Sequence, residues 1–278
     1  MTLEGDRYAR EVRAQTGLLA AQLTPQTLLR QVPTCPEWTL RDLAAHVGST
    51  QRWVTEIVTQ RLREPPAMPP GERAGPPPTA GADELARWVR EGASELAAGL
   101  TEEDWDTAVW SWSGDDRVGF WARRMAGEAA VHAVDAQLVT GPVAPLAPDL
   151  AADGISEWLW ILTLPPAAET SGRFPLRSGG ETLHLHATDP ELAGQGEQGA
   201  AGQGDQGAAG QGEGEWLIRR SEHGISWERG HRKADVAVRG PASELFLLLM
   251  RRRDLASAAV EVLGDRSVLE AWLERSRF

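Results

Sequence analysis

Residues 32–48, VPTCPEWTLRDLAAHVG, and residues 123–141, RRMAGEAAVHAVDAQLVTG, decide how this chain is read. In the first stretch, Thr39 followed by Asp42 is a capping box of the looser kind, and Trp38 and Leu43 stand where a hydrophobic staple would put them. A helix is therefore predicted to start near residue 40. Its face continues as Leu43, His46, Val47, Thr50, Val54 and Ile57, with His46 in the middle of the stripe. On the helix of the second stretch, Trp121, Met125, Glu128, His132 and Asp135 form one face, with Glu128 and His132 four apart. A buried carboxylate and imidazole are costly unless something pairs with them. A divalent metal held by His46, Glu128 and His132, with one coordination position open, would satisfy all three, and that arrangement is catalytic in type. Taken alone, Glu128 and His132 read first as a surface pair worth a few tenths of a kcal/mol. His46 alone reads as a core histidine bonded to a carbonyl. The pattern by itself does not bring the two helices together.

Composition narrows the function classes. The 278 residues allow one large domain or two ordinary ones. A formal net charge of -12 argues against a nucleic-acid backbone or an anionic membrane as the main partner. Cys35 is the sole cysteine, so no intrachain disulfide can form, which fits a reducing cytoplasm. The N-terminus, MTLEGDRYAREVRAQ, is charged throughout and has no signal-peptide core. The longest apolar stretches, at 158–164 and 245–250, are too short to span a bilayer. The reading is a cytoplasmic protein that handles a small molecule, as a monomer or homodimer. Lys233 is the only lysine among abundant arginine, alanine and glycine, the signature of a GC-rich genome.

Periodicity divides the chain in two. Helices are predicted over 5–22, from residue 40, over 83–100 and over 120–139. The proline- and glycine-rich stretch 64–82 reads as a long surface loop, and the tryptophan-dense stretch 104–120 as a connector. Four helices with long connections suggest an up-down bundle, whose core is a natural place for a metal. A fifth helix, from about Asp149, leads out of it, and the helical domain is set at 1–165. The second domain, at 175–278, reads as smaller and α+β with an antiparallel sheet. Its short alternating strands include ETLHLHATD, EWLIRRSE, GISWERG and ADVAVRG, followed by two helices with a strand between them. Between the first two strands, at about 193–214, runs a Gly/Gln/Ala repeat with almost nothing to bury, expected to be disordered.

Other candidate residues have plainer readings. Cys35 stands just before a helix start, where a dipole could lower a thiol pKa, but a small semi-buried residue is the preferred reading. His184 and His186 share one strand face, a spacing able to bind metal, and read first as a solvated sheet face. His223 and His231 flank a predicted hairpin and read as surface residues. Several of the twelve tryptophans cluster at 105–121, which suggests an apolar pocket near the metal.

With both motifs in this order and spacing, the chain resembles the mycothiol-dependent maleylpyruvate isomerase family along nearly its whole length. VAVRGPASELFLLLMRR and VEVLGD look like the family's second domain. The resemblance implies a DinB-like four-helix bundle followed by a small α+β domain. It implies a divalent metal, most often zinc, on His46, Glu128 and His132. It also implies a functional arginine in a Gly-Arg pair after a leucine-rich helix; Arg252 matches, with Arg251 in place of the glycine. Relatives often read M-A-H-E where this chain has Gly127 before Glu128. The activity implied is that of an enzyme using mycothiol, a low-molecular-weight thiol of high-GC actinobacteria, as an isomerase or S-transferase on a small carboxylate-bearing substrate. The alternatives are a metal-dependent hydrolase on the same bundle, and a non-catalytic metal- or small-molecule-binding protein.

Overall fold

The first helix, α1 (Arg7–Ala21), buries Tyr8, Val12, Thr16 and Leu19 at helical spacing. A short hairpin follows, β1 (Gln31–Val32) with β2 (Cys35–Thr39). It runs directly into α2 (Leu40–Thr59), whose start carries the full reciprocal capping box: the Thr39 hydroxyl accepts from the Asp42 amide, and the Asp42 carboxylate accepts from the Thr39 amide. Then come α3 (Ala82–Ala98) and α4 (Val118–Thr140). This computed structural model describes residues 3–72, 75–76, 79–164, 179–193, 213–222 and 224–276. The Gly/Gln repeat, apart from its first and last residues, and His223 lie outside the described residues.

The four helices form a bundle, as expected, but their arrangement differs from a simple up-down order. α1 packs on α3 and α4, and α2 packs on α3 and α4, so α1 lies diagonal to α2 and α3 diagonal to α4. The connections explain it. The segment holding β1 and β2, and the tryptophan-rich segment 99–117, are each long enough to cross the bundle end. Leu19, Leu40, Leu43, Val47, Leu85, Val89 and Val139 form a core to which all four helices contribute. Gly48 marks the closest approach of α2 to α3: a Cβ there would lie 2.1 Å from the Trp88 ring. Only glycine lets that ring seat against the helix.

Contacts divide the chain into two compact units, one of Leu3–Ala144 and one built on Pro145–Phe278. The division falls earlier than the expected boundary at 165, because α5 (Pro148–Thr163) packs within the second unit. The rest of that unit comprises β3 (Thr182–Ala187), β4 (Glu215–Ser221), β5 (Gly224–Arg229), β6 (Val236–Gly240), α6 (Ala242–Leu249), β7 (Glu261–Gly264) and α7 (Arg266–Arg275). Phe246 of α6 seats against Gly154 of α5, where a Cβ would come within 2.7 Å of the ring. Ser156 of α5 accepts a hydrogen bond from Trp216 Nε1 at 3.0 Å.

The sheet has the order β5-β4-β3-β6-β7. Three pairings are antiparallel, and the central one, β3 with β6, is parallel. The sheet is thus mostly antiparallel, as the sequence suggests, with one parallel pairing. The hairpin β4–β5 lies on one side of β3, so the chain returns across the sheet to reach the other side in the same direction. Leu183, Leu185, Trp216, Ile218, Val236 and Val238 share one face by register and are all buried. His184, His186, Glu215 and Leu217 share the other. No described helix is long and apolar enough to cross a membrane.

Candidate metal centre

The sequence places His46 on α2 and Glu128 and His132 on α4, and the bundle brings the three together. The His46 and His132 rings stand edge to face, with centroids 5.2 Å apart. Glu128 Oε2 lies 3.2 Å from His132 Nε2. Further along, Trp53 of α2 meets Trp121 of α4 at 5.6 Å. His46 pairing with His132, and Trp53 with Trp121, requires the two helices to run antiparallel.

The support beneath His132 is what the sequence reading missed. Its Nδ1 lies 2.9 Å from Asp135 Oδ2, and Asp135 is fully buried. The Thr34 hydroxyl, from the turn between β1 and β2, donates to Asp135 Oδ1 at 2.5 Å. A carboxylate on one ring nitrogen fixes the tautomer and leaves the other nitrogen free to ligate. The same hairpin supplies Trp38, whose ring lies 4.8 Å from that of His46. The hairpin thus orients both histidines, one through Asp135 and one by ring contact.

Electrostatics agree with a ligand set. Burial and the nearby His132 both lower the His46 pKa, which outweighs Glu128 and favours the neutral ring. Burial would favour the neutral Glu128 acid, but Arg124, with Nη2 at 3.7 Å, and His132 overcome it, and the group stays ionised well below the usual range. Burial also works against a charged His132. Hydrogen bonds to Asp135 and Glu128 win, and its pKa is raised to about 9. Two acidic partners thus hold a proton on His132 that a divalent ion would displace.

The spacing of Glu128 and His132 suits such an ion. The 3.2 Å between Glu128 Oε2 and His132 Nε2 is close to the edge of a tetrahedron with metal bonds of about 2.1 Å, roughly 3.4 Å. His46 makes no hydrogen bond to another described residue, so its nitrogens are not already committed. The bundle set is nonetheless more open than a group whose ligand atoms all lie within 4.8 Å of one another; His184, Glu215 and His231, in the second unit, form such a group.

An aromatic wall lies further along the same two helices. Trp53, Trp110 and Trp121 meet one another at 5.6 to 6.1 Å, and Phe120 meets Trp121 edge to face at 4.9 Å. Thr50 Oγ1 and Trp53 Nε1, along the α2 face that carries His46, are buried without a hydrogen-bond partner. Two orphaned donors on that helix face suit a polar small molecule.

The remaining candidates fall elsewhere. Cys35, at the start of β2, is half-buried against the bundle core. His231 is exposed, as expected, whereas His184 is buried and does not face solvent. Arg252 follows α6 in the second unit and is half-buried, with Nη1 donating to the Met250 carbonyl at 2.8 Å. Its backbone explains the usual Gly-Arg pair. Arg251 is in the left-handed region, φ 59°, with its N–H on Leu248 O and that of Arg252 on Leu247 O. That is a Schellman cap, whose left-handed position favours glycine.

Comparison with known proteins agrees with the two-unit reading. The mycothiol maleylpyruvate isomerase N-terminal domain model matches residues 9–137, and the C-terminal domain model of the same isomerase matches 149–271. Two crystal structures, of the mycothiol-dependent maleylpyruvate isomerase and of a histidine-to-alanine mutant of it, share the fold. They are 16% and 15% identical, cover 91% of this chain and of their own, and each has a TM-score of 0.54. No curated protein sequence matches the chain. The two domain models together span nearly all of the sequence, in order, and the chain belongs to the mycothiol-dependent maleylpyruvate isomerase family.

Proposed function

We propose that this protein is a cytoplasmic, mycothiol-dependent isomerase acting on a small carboxylate-bearing substrate with an activated double bond, and that His46, Glu128 and His132 hold a divalent ion. The observation that carries the reading is the relay from Thr34 through Asp135 to His132, facing His46 and Glu128. Family membership supports the choice of thiol and of reaction. A bound divalent ion, zinc being the best match to two imidazoles and a carboxylate, would supply the Lewis acidity that keeps a thiol ionised at neutral pH.

The chain's own residues do the positioning. Asp135 takes the Nδ1 proton of His132 in a hydrogen bond and keeps Nε2 directed at the site. Thr34 holds Asp135 in place. Trp38 fixes the His46 ring, and the wall of Trp53, Trp110 and Trp121 gives an organic substrate an apolar surface. Arg252 is assigned to a carboxylate of substrate or thiol, a role its guanidinium geometry suits. Addition of sulfur to the double bond leaves a single bond free to rotate. Expulsion of sulfur restores the alkene in the other geometry, with no net gain or loss of atoms.

Maleylpyruvate incubated with the protein, with and without mycothiol, tests this directly by proton NMR. Cis-to-trans conversion that requires the thiol is the expected result. Hydrolysis products without thiol dependence would replace the reading with that of a hydrolase.

A further inference from the structure

The second unit carries its own set of ligand-type side chains. β3 and β4 pair so that His186 lies opposite Glu215, with His184 two residues back on the same face. After β5 the chain turns at Gly230, φ 121°, whose N–H bonds the Glu215 carbonyl at 3.2 Å. Few residues other than glycine adopt that φ. The turn brings the next residue, His231, over the same carboxylate.

Three imidazoles thereby converge on one acid. His231 Nδ1 lies 3.1 Å from Glu215 Oε2, His186 Nδ1 lies 3.1 Å from Oε1, and His184 Nε2 lies 3.5 Å from Oε2. Ring centroids of His184 and His231 are 5.1 Å apart. His184 is only 3% exposed, and its Nε2 has no hydrogen-bond partner. An unpaired buried nitrogen carries a desolvation cost, and a mere hydrogen-bond cluster around Glu215 does not relieve it.

We propose that His184, Glu215 and His231 form a second divalent-metal site, selective for ions of the zinc class. Their ligand atoms all lie within 4.8 Å of one another. The two Glu215 Oε2 distances, 3.1 and 3.5 Å, bracket the roughly 3.4 Å edge of a tetrahedron with bonds of about 2.1 Å. An ion there gives the orphaned His184 nitrogen its partner. Two imidazoles and one carboxylate select zinc, nickel, cobalt or copper over magnesium or calcium, which prefer all-oxygen shells. His186 holds the other Glu215 oxygen, the place of an outer hydrogen bond that orients a ligating carboxylate. Arg239, level with His186 on β6, reaches toward Glu261 at 3.9 Å and supplies no ligand. His231 is exposed, so an ion has an entry path. The ligands come from β3, β4 and the segment after β5, so binding ties three successive strands together and adds to stability.

The test uses the full chain, stripped of metal and dialysed against micromolar free zinc, with bound zinc counted by mass spectrometry. His231→Gln alters an exposed side chain and leaves the fold intact by circular dichroism; Glu215→Gln is the second variant. Each should bind one ion fewer than the parent chain and lose the zinc-dependent rise in Tm that this site contributes. In a His132→Ala background one ion should remain, and adding His231→Gln should remove it. His186→Gln should weaken binding by about 10- to 100-fold without abolishing it. Equal zinc content in the parent chain, His231→Gln and Glu215→Gln would overturn the proposal. Failure of the bundle centre reads differently: His132→Ala would then bind as much zinc as the parent, while His231→Gln would still lose its ion.

Discussion

Among the described residues, two sets of histidines and a carboxylate come together, and they are built in opposite ways. In the bundle, His132 is held from behind by a fully buried carboxylate, Asp135, which a hydroxyl from a distant turn pins in its turn. In the sheet, the carboxylate itself is the hub, and one buried, one half-buried and one exposed imidazole gather around it. The first plan fixes the orientation of the ring before any ligand arrives. The second leaves one buried nitrogen unpaired until something binds. Preorganisation with an aromatic wall suits chemistry on a small molecule, while a strand-bridging cluster suits structural binding.

Removing the back support should separate the two plans most sharply. Asp135→Ala would leave the buried His132 nitrogen and the half-buried Thr34 hydroxyl without their shared partner. We expect a loss of about 3 kcal/mol in urea unfolding and about 10- to 100-fold in metal affinity at the bundle. His186→Gln, in the partly exposed cluster, should change stability by less than about 1 kcal/mol. Equal losses would erase the contrast.

Acidity gives a second handle. His132 in the metal-free protein is raised to about 9 from an ordinary 6.5. A group whose folded pKa is raised contributes stability that is full below its unfolded pKa and is lost as pH rises through the folded value. Metal-free protein should therefore lose several degrees of Tm between pH 6.5 and about 9, and His132→Gln should flatten that slope. A slope unchanged in His132→Gln would assign the effect to other groups.

Much of this architecture was legible in the sequence, and the illegible parts share a cause. The capping box at Thr39 and Asp42, the helical stripes and the Glu128–His132 spacing are local signals, and the structure keeps them all. Asp135 stood on the same face, three residues after His132, yet nothing local distinguished a support from one more polar residue. Thr34 lies 101 residues away from its partner and carried no signal at all. His184 read as solvated because alternation shows which residues share a face, not what covers it. The parallel pairing of β3 with β6 and the docking of α5 on α6 are likewise long-range choices. A His-x-x-Asp on the metal helix was the one clue available and unused.

The cap after α6 should give the smallest effect. Arg251 holds a left-handed φ of 59° and donates to the Leu273 carbonyl at 2.6 Å. Arg251→Gly relieves the backbone but loses that bond, so a net gain of at most about 1 kcal/mol is expected in chemical denaturation. Destabilisation would mean that the side-chain bond outweighs the strain.

The central claim is that an exogenous thiol is bound by metal at the bundle centre, and not by metal at the sheet cluster or on Cys35. The most direct measurement is the absorption spectrum of the cobalt-substituted full chain on addition of mycothiol. A thiolate-to-metal charge-transfer band should appear with the thiol, persist in Cys35→Ser and in His231→Gln, and vanish in His132→Ala. A band present without added thiol and lost in Cys35→Ser, or one that survives His132→Ala, would contradict the account.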